Sequence, residues 1–301
     1  MLKKDYSRGF TLTELLVVLG ILVALFGLLL PAVQRVREAA NKVTCASQLR
    51  QLGLALQMHH HDHGVLPSNG GWDGRQQIVA RSGAAVRVTT LDYSSGIRWH
   101  WGVGDPLRPP HDQTGSWAYA ILPYVEQAAL YRERNWEVPL KLLICPSRRS
   151  PVAQVPVNDD YGEYEGGGWR WGKTDYAANG WVIANRPHCR PLADLRDGTS
   201  NTVLVGEKAL SIRSLETPTW YWDEPFFVGG SGGTQRVRFR VLRDSDALYP
   251  LFRGNWGSSH LAGAQFLFGD GSVRPLSYTA ARPTVEALLT PNGGESVTVS
   301  E

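Results

Sequence analysis

Residues 15–33 read LLVVLGILVALFGLLLPAV, nineteen positions without a charged or strongly polar side chain. As an α-helix this run rises roughly 28 Å, about the thickness of a hydrocarbon core, so it is long enough to span a bilayer. Residues 1–9, MLKKDYSRG, carry Lys3, Lys4 and Arg8 against Asp5. Basic flanks stay on the cytoplasmic side, which predicts a cytoplasmic N-terminus and an extracytoplasmic chain beyond about residue 35. A secretory signal peptide has an apolar run of roughly 7–15 residues that ends at a small-x-small site. Here the run continues into QRVREAANKV with no such site. A plain anchor fits the length but leaves Glu14 unexplained, because an unpaired carboxylate facing lipid costs roughly 3 kcal/mol or more.

The chain as a whole hides this segment. Its mean hydropathy of −0.23 averages the apolar run with a polar remainder. Across 301 residues, 31 basic and 28 acidic side chains leave a formal net charge of +3, which gives no broad footprint for nucleic acid, and none is expected as a partner. The 32 Gly, 18 Pro and 11 Trp point to a loop-rich, strand-rich body with many aromatic anchors.

Arg8-Gly9-Phe10-Thr11-Leu12-Thr13-Glu14-Leu15-Leu16-Val17-Val18 resembles the class III signal of type IV prepilins and pseudopilins. The resemblance implies that prepilin peptidase cuts between Gly9 and Phe10 on the cytoplasmic side and methylates the new Phe10 amine. Glu14 then becomes the fifth residue of the mature chain, placed to neutralise the amine of a neighbouring subunit in a bundle of parallel helices. Pro31 fits the pilin pattern as a kink or locally melted point. Beyond it the helix continues and turns amphipathic, with Val36, Ala40, Val43, Ser47, Leu49, Leu52 and Leu56 at spacings of three and four. A helix from Phe10 to about Met58 is roughly 70 Å long. The expected organisation is a cleaved leader (1–9), a transmembrane and assembly helix (10–64) and an extracytoplasmic head (65–301), an α+β fold. The implied location is the bacterial inner membrane, followed by a periplasmic or cell-surface filament of like subunits or other pilins.

In the body, the one helical pattern spans 119–134 and is interrupted by Pro123, while 202–205, 237–242 and 264–268 read as strands between turn residues. Four local sequences resemble, in order, a large bacterial group of pilin-like proteins with a C-terminal H-x9-DG motif. They are Ser116-Trp117 with Leu122-Pro123-Tyr124-Val125-Glu126-Gln127, then Cys145-Pro146-Ser147, then Asp197-Gly198-Thr199-Ser200-Asn201-Thr202 with Gly206-Glu207, and last His260 with Asp270-Gly271. Around the last, AQFLF, GDG and SVRPL read as a β-hairpin whose Asp-Gly supplies positive φ. His260 either hydrogen-bonds back to that turn or an adjoining loop, or forms a metal or acid–base pair with Asp270. No nucleophile elbow, Walker loop, HExxH or paired CxxC is present, so the chain does not read as an enzyme and no cofactor is expected.

Other clusters carry two readings each. His59 and His63, with His60, His61 and Asp62 between them, share a helix face and are weak candidates for a transition metal, or form a polar helix end stopped by Gly64. Asn158-Asp159-Asp160 with Glu163 and Glu165 is a calcium-type oxygen cluster or a solvated acidic loop. Trp99 and Trp101, Trp169 and Trp171, and Trp220 and Trp222 form three Trp-x-Trp triplets, which on strands place paired indoles on one face. Such pairs either bind a glycan or protein or build sheet core. Of the three cysteines, one disulfide and one free thiol suit an oxidising compartment, and spacing leaves the connectivity open. The family resemblance favours Cys45 with Cys145, since both lie in resembling stretches and Cys189 does not. The function expected is a structural subunit of a type IV pilus-like or type II secretion-like assembly. The alternative is a membrane-anchored glycan- or protein-binding module that does not polymerise.

Overall fold

The computed structural model of the chain describes residues 11–247 and 249–294. Helix α1 (Leu12–His63) runs 52 residues. Thr11 caps it: the Glu14 amide donates to Thr11 Oγ1 at 3.3 Å, and Glu14 Oε2 accepts from Thr11 N at 2.9 Å, a reciprocal capping box. Gly64 ends the helix at φ 74°, its N–H donating to His60 O, a conformation that a Cβ would penalise. The helix continues without interruption through Pro31.

The head is built from short strands: β1 (Thr89–Asp92), β2 (Ile97–His100), β3 (Gly162–Glu165), β4 (Tyr176–Asn179), β5 (Val203–Glu207), β6 (Gln235–Arg236), β7 (Trp256–Ser258), β8 (Gly263–Phe268) and β9 (Val273–Ser277). The main sheet has the order β6-β4-β5-β8-β9; β6 pairs parallel with β4 and the other neighbours are antiparallel. The expected hairpin is present, with Gly263 opposite Ser277 and Leu267 opposite Val273. A second sheet, β2-β1-β3, is antiparallel throughout.

Every residue of β8 is buried, because both faces of the sheet are covered. Leu267 joins the larger core with Leu49, Leu52 and Leu56 of α1, while Phe266 and Phe268 join Trp256 and the C-terminal helix (Arg282–Leu289) on the other face. Gly53 lets α1 approach closely, since a Cβ there would lie 2.8 Å from Leu267 Cδ1. Leu49, Leu52 and Leu56 are fully buried, each contributing about 2 kcal/mol of transfer free energy.

The docked stripe of α1 agrees with the expected one at Leu49, Leu52 and Leu56 and differs before them. Cys45, Leu49, Leu52, Gly53, Ala55, Leu56 and His59 are buried, whereas Val36 and Val43 are exposed. The face begins two turns earlier with Glu38, a polar residue that an apolar pattern does not register. The 119–134 helix divides into Trp117–Ala120, a 3-10 turn at Leu122–Val125, and Ala128–Glu133. Pro123 sits in the 3-10 turn, and Glu126 and Arg134 at φ 61° and 54° end the two later pieces. Of the strand expected at 237–242, only the Val241–Arg243 end is a strand.

Candidate functional site

The first half of α1 has no partner among the described residues. Leu15, Leu16, Leu19, Leu22, Phe26 and Leu30 are all exposed, and the helix is long and apolar enough to cross a membrane. Glu14 lies at its tip, bonded back to Thr11 through Thr11 Oγ1 as well, at 2.7 Å. Gly9 and Phe10, the processing pair, lie outside the described residues.

Where α1 meets the head, segments far apart in sequence converge on the two ends of β8. At the far end, Asp270 forms the hairpin turn expected of it: it is exposed, its Oδ1 accepts from Ser272 N at 2.8 Å, and Gly271 takes φ 85°. The Asp270 amide donates to Thr199 O and the Gly269 amide to Thr202 O, so the Asp197–Thr202 stretch packs on this turn. At the near end sits His260, 1% exposed. It does not reach Asp270. Its Nδ1 contacts Glu38 Oε1 of α1 at 2.6 Å, and its Nε2 faces Glu207 Oε1 at 3.3 Å and Cys145 Sγ at 3.7 Å.

Cys45 completes this cluster, its Sγ 3.0 Å from that of Cys145. The two cysteines that the resemblance paired thus lie side by side as free cysteines, and their sulfurs also meet His260 and Glu207. Burial lowers the His260 pKa, but hydrogen bonds to Cys145 and Glu207 outweigh it and raise the value to about 11. The hydrogen bond with Cys45, reinforced by burial, pushes the Cys145 thiol up. Sequence reasoning singled out His260 and the two cysteines but missed Glu38 and Glu207 as their companions. Glu38 lies 222 positions from His260, and nothing local announces the contact.

Beside the cluster lies a buried ionic network that the sequence did not reveal. Arg148 pairs with Asp244 at 2.8 Å and Asp175 at 3.4 Å, and Asp223 gathers Arg149, Lys208 and Lys173. Burial opposes ionisation of Asp223, yet those three cations hold its pKa well below the usual range. Burial also pulls Lys208 down to about 7 and Lys173 to about 8, and lifts Glu224 to about 7.

The tryptophan triplets divide between core and cavity. Trp171 and Trp220 are fully buried and meet edge to face at 5.7 Å, and the half-buried Trp169 donates to Val79 O. Trp222 stands at φ 60° in a turn, so the third triplet is not a strand pair. Trp99 and Trp101 do stack, at 6.1 Å and 15° between planes. With Trp72, Tyr221, Trp222 and Arg253 they line a cavity of about 350 Å³.

The histidine cluster is occupied by structural bonds. His59 Nδ1 contacts Val65 O at 3.0 Å, His60 Nε2 accepts from Leu192 N, and Asp62 accepts from Tyr124 Oη. Burial depresses the His59 pKa to about 4. In the acidic loop, Asp159 Oδ1 accepts from Tyr161 N, Gly162 N and Tyr164 Oη, while Glu163 pairs with Arg98. Those oxygens serve the loop itself.

Comparison with known families matches two segments. The family described as "Protein of unknown function (DUF1559)" matches residues 34–282. The "Prokaryotic N-terminal methylation motif" matches residues 4–30. No curated protein and no solved structure matches the chain. A long helix with an exposed apolar half, a β-rich head and these two matches agree: the chain belongs to the DUF1559 family and is a type IV pilin-like protein.

Proposed function

We propose that the protein is a structural, non-enzymatic subunit of a type IV pilus-like or type II secretion-like assembly. Prepilin peptidase cuts it between Gly9 and Phe10 and methylates Phe10. It resides first in the inner membrane with its N-terminus cytoplasmic, and then packs through α1 against like subunits or other pilins. The observation that carries this reading is the division of one continuous helix. Its second half is docked on the head, while the first exposes apolar side chains on all sides with Glu14 at the tip. A membrane and then neighbouring helices supply what the chain itself does not. The test is intact-mass analysis of protein from sheared filaments and from membranes. Loss of residues 1–9 with one added methyl is expected, and a retained Met1 overturns the reading. Glu14→Ala should be processed normally yet vanish from the filament fraction.

A second reading is favoured by the aromatic cavity, whose indoles and Arg253 suit a sugar ring: a membrane-anchored head that binds glycans. On a glycan array, binding that disappears with Trp99→Ala or Trp222→Ala supports it, and an array without binding removes it.

A further inference from the structure

We propose that Cys45, Cys145, His260 and Glu207 form a closed tetrahedral zinc site that staples the long helix to the head. One ligand atom from each residue lies within 4.8 Å of all the others, and all four residues are buried. The set combines two sulfurs, one imidazole nitrogen and one carboxylate oxygen. Calcium and magnesium require more oxygens, whereas zinc accepts all three ligand types in four-coordinate geometry.

Distances sharpen the assignment. Around tetrahedral zinc, a nitrogen and a carboxylate oxygen stand roughly 3.4 Å apart and a sulfur and a nitrogen roughly 3.6 Å apart. His260 Nε2 lies 3.3 Å from Glu207 Oε1 and 3.7 Å from Cys145 Sγ. The two sulfurs, now 3.0 Å apart, must open to roughly 3.8 Å.

Glu207 gives an independent indication. It is fully buried; its Oε2 accepts from Gln265 N at 2.8 Å, while Oε1 is turned towards the imidazole, 3.3 Å from His260 Nε2. A buried carboxylate is costly without a compensating cation, and a metal ion held between Oε1 and Nε2 supplies one. His260 has the outer partner that zinc-bound histidines use. Glu38 engages Nδ1 at 2.6 Å and is itself held by Ser147 Oγ, so Nε2 is directed into the cluster.

The test uses the full-length protein, purified without a histidine tag or chelator, and measures zinc by mass spectrometry alongside free thiols in denaturant. One zinc per chain with Cys45 and Cys145 reduced is expected. His260→Ala, Glu207→Ala and Cys145→Ser should each lower the zinc content at least tenfold. Because such variants can misfold, wild-type protein is also stripped and reloaded with Co²⁺, which should give a thiolate-to-cobalt charge-transfer band in the near ultraviolet. A Cys45–Cys145 disulfide without metal, zinc retained by all the variants, or a wild-type protein that takes up no Co²⁺ would each overturn the proposal. Any of these results leaves the assembly reading untouched, since N-terminal processing is read independently.

Discussion

An imidazole buried at the end of a helix is a pH-sensitive element of stability, and His59 illustrates the direction. Its folded pKa of about 4 lies below its ordinary value of 6.5, so between those limits the unfolded chain takes up the proton first. Stability present above pH 6.5 is therefore lost as the pH falls towards 4, by roughly 3 kcal/mol in total. Denaturant unfolding of wild type and His59→Phe at pH 7 and pH 4.5 should show a steeper loss for wild type. The neighbouring His60, Asp62 and His63 are the same in both proteins, so the difference between slopes isolates His59. Equal slopes would refute this account. Its burial follows from a position on the docked face, one turn past Leu56, a pattern already present in the sequence. The contact of Glu38 with His260 is of another kind, since it depends on how a loop after β7 meets a helix more than two hundred residues earlier.

At the scale of elements, the docking of α1 is the contact that holds handle to head, and it can be weighed on one helix. Leu52→Ala removes a fully buried side chain from the interface with β8 and should cost about 2–5 kcal/mol. Leu54, two positions on and 62% exposed, should tolerate alanine within about 0.5 kcal/mol. Thermal denaturation of both variants decides it, and equal effects would mean that the helix does not dock by this face. The length of this helix was legible because apolar spacing and Gly64 mark it locally. Its facing was legible at Leu49, Leu52 and Leu56 and misread before them, because Glu38 and Gln48, both polar, belong to the docked side. Gln48 donates to Lys141 O and accepts from Tyr176 Oη. The β8–β9 hairpin was legible too, its turn fixed by Asp270 and Gly271. The 119–134 helix was not, because left-handed positions at Glu126 and Arg134 carry no glycine to announce them.

For the molecule as a whole, the handle and the β-rich head were readable, whereas the interior of the head was not. Charges such as Lys173, Lys208 and Asp223 look like surface residues in a sequence, and only the fold shows them collected in the core. The same holds for the tryptophans, whose pairs are visible as triplets while the fold alone decides which of them face a cavity. Glu38, Cys45, Gln48, Leu49, Leu52 and Leu56 grip the head along several consecutive turns of a single continuous helix. A pull along the helix axis therefore loads these contacts in parallel, as shear, whereas a sideways tug would peel them one after another. A subunit held by its handle and strained at its head resists best in the direction in which a fibre under tension would pull it.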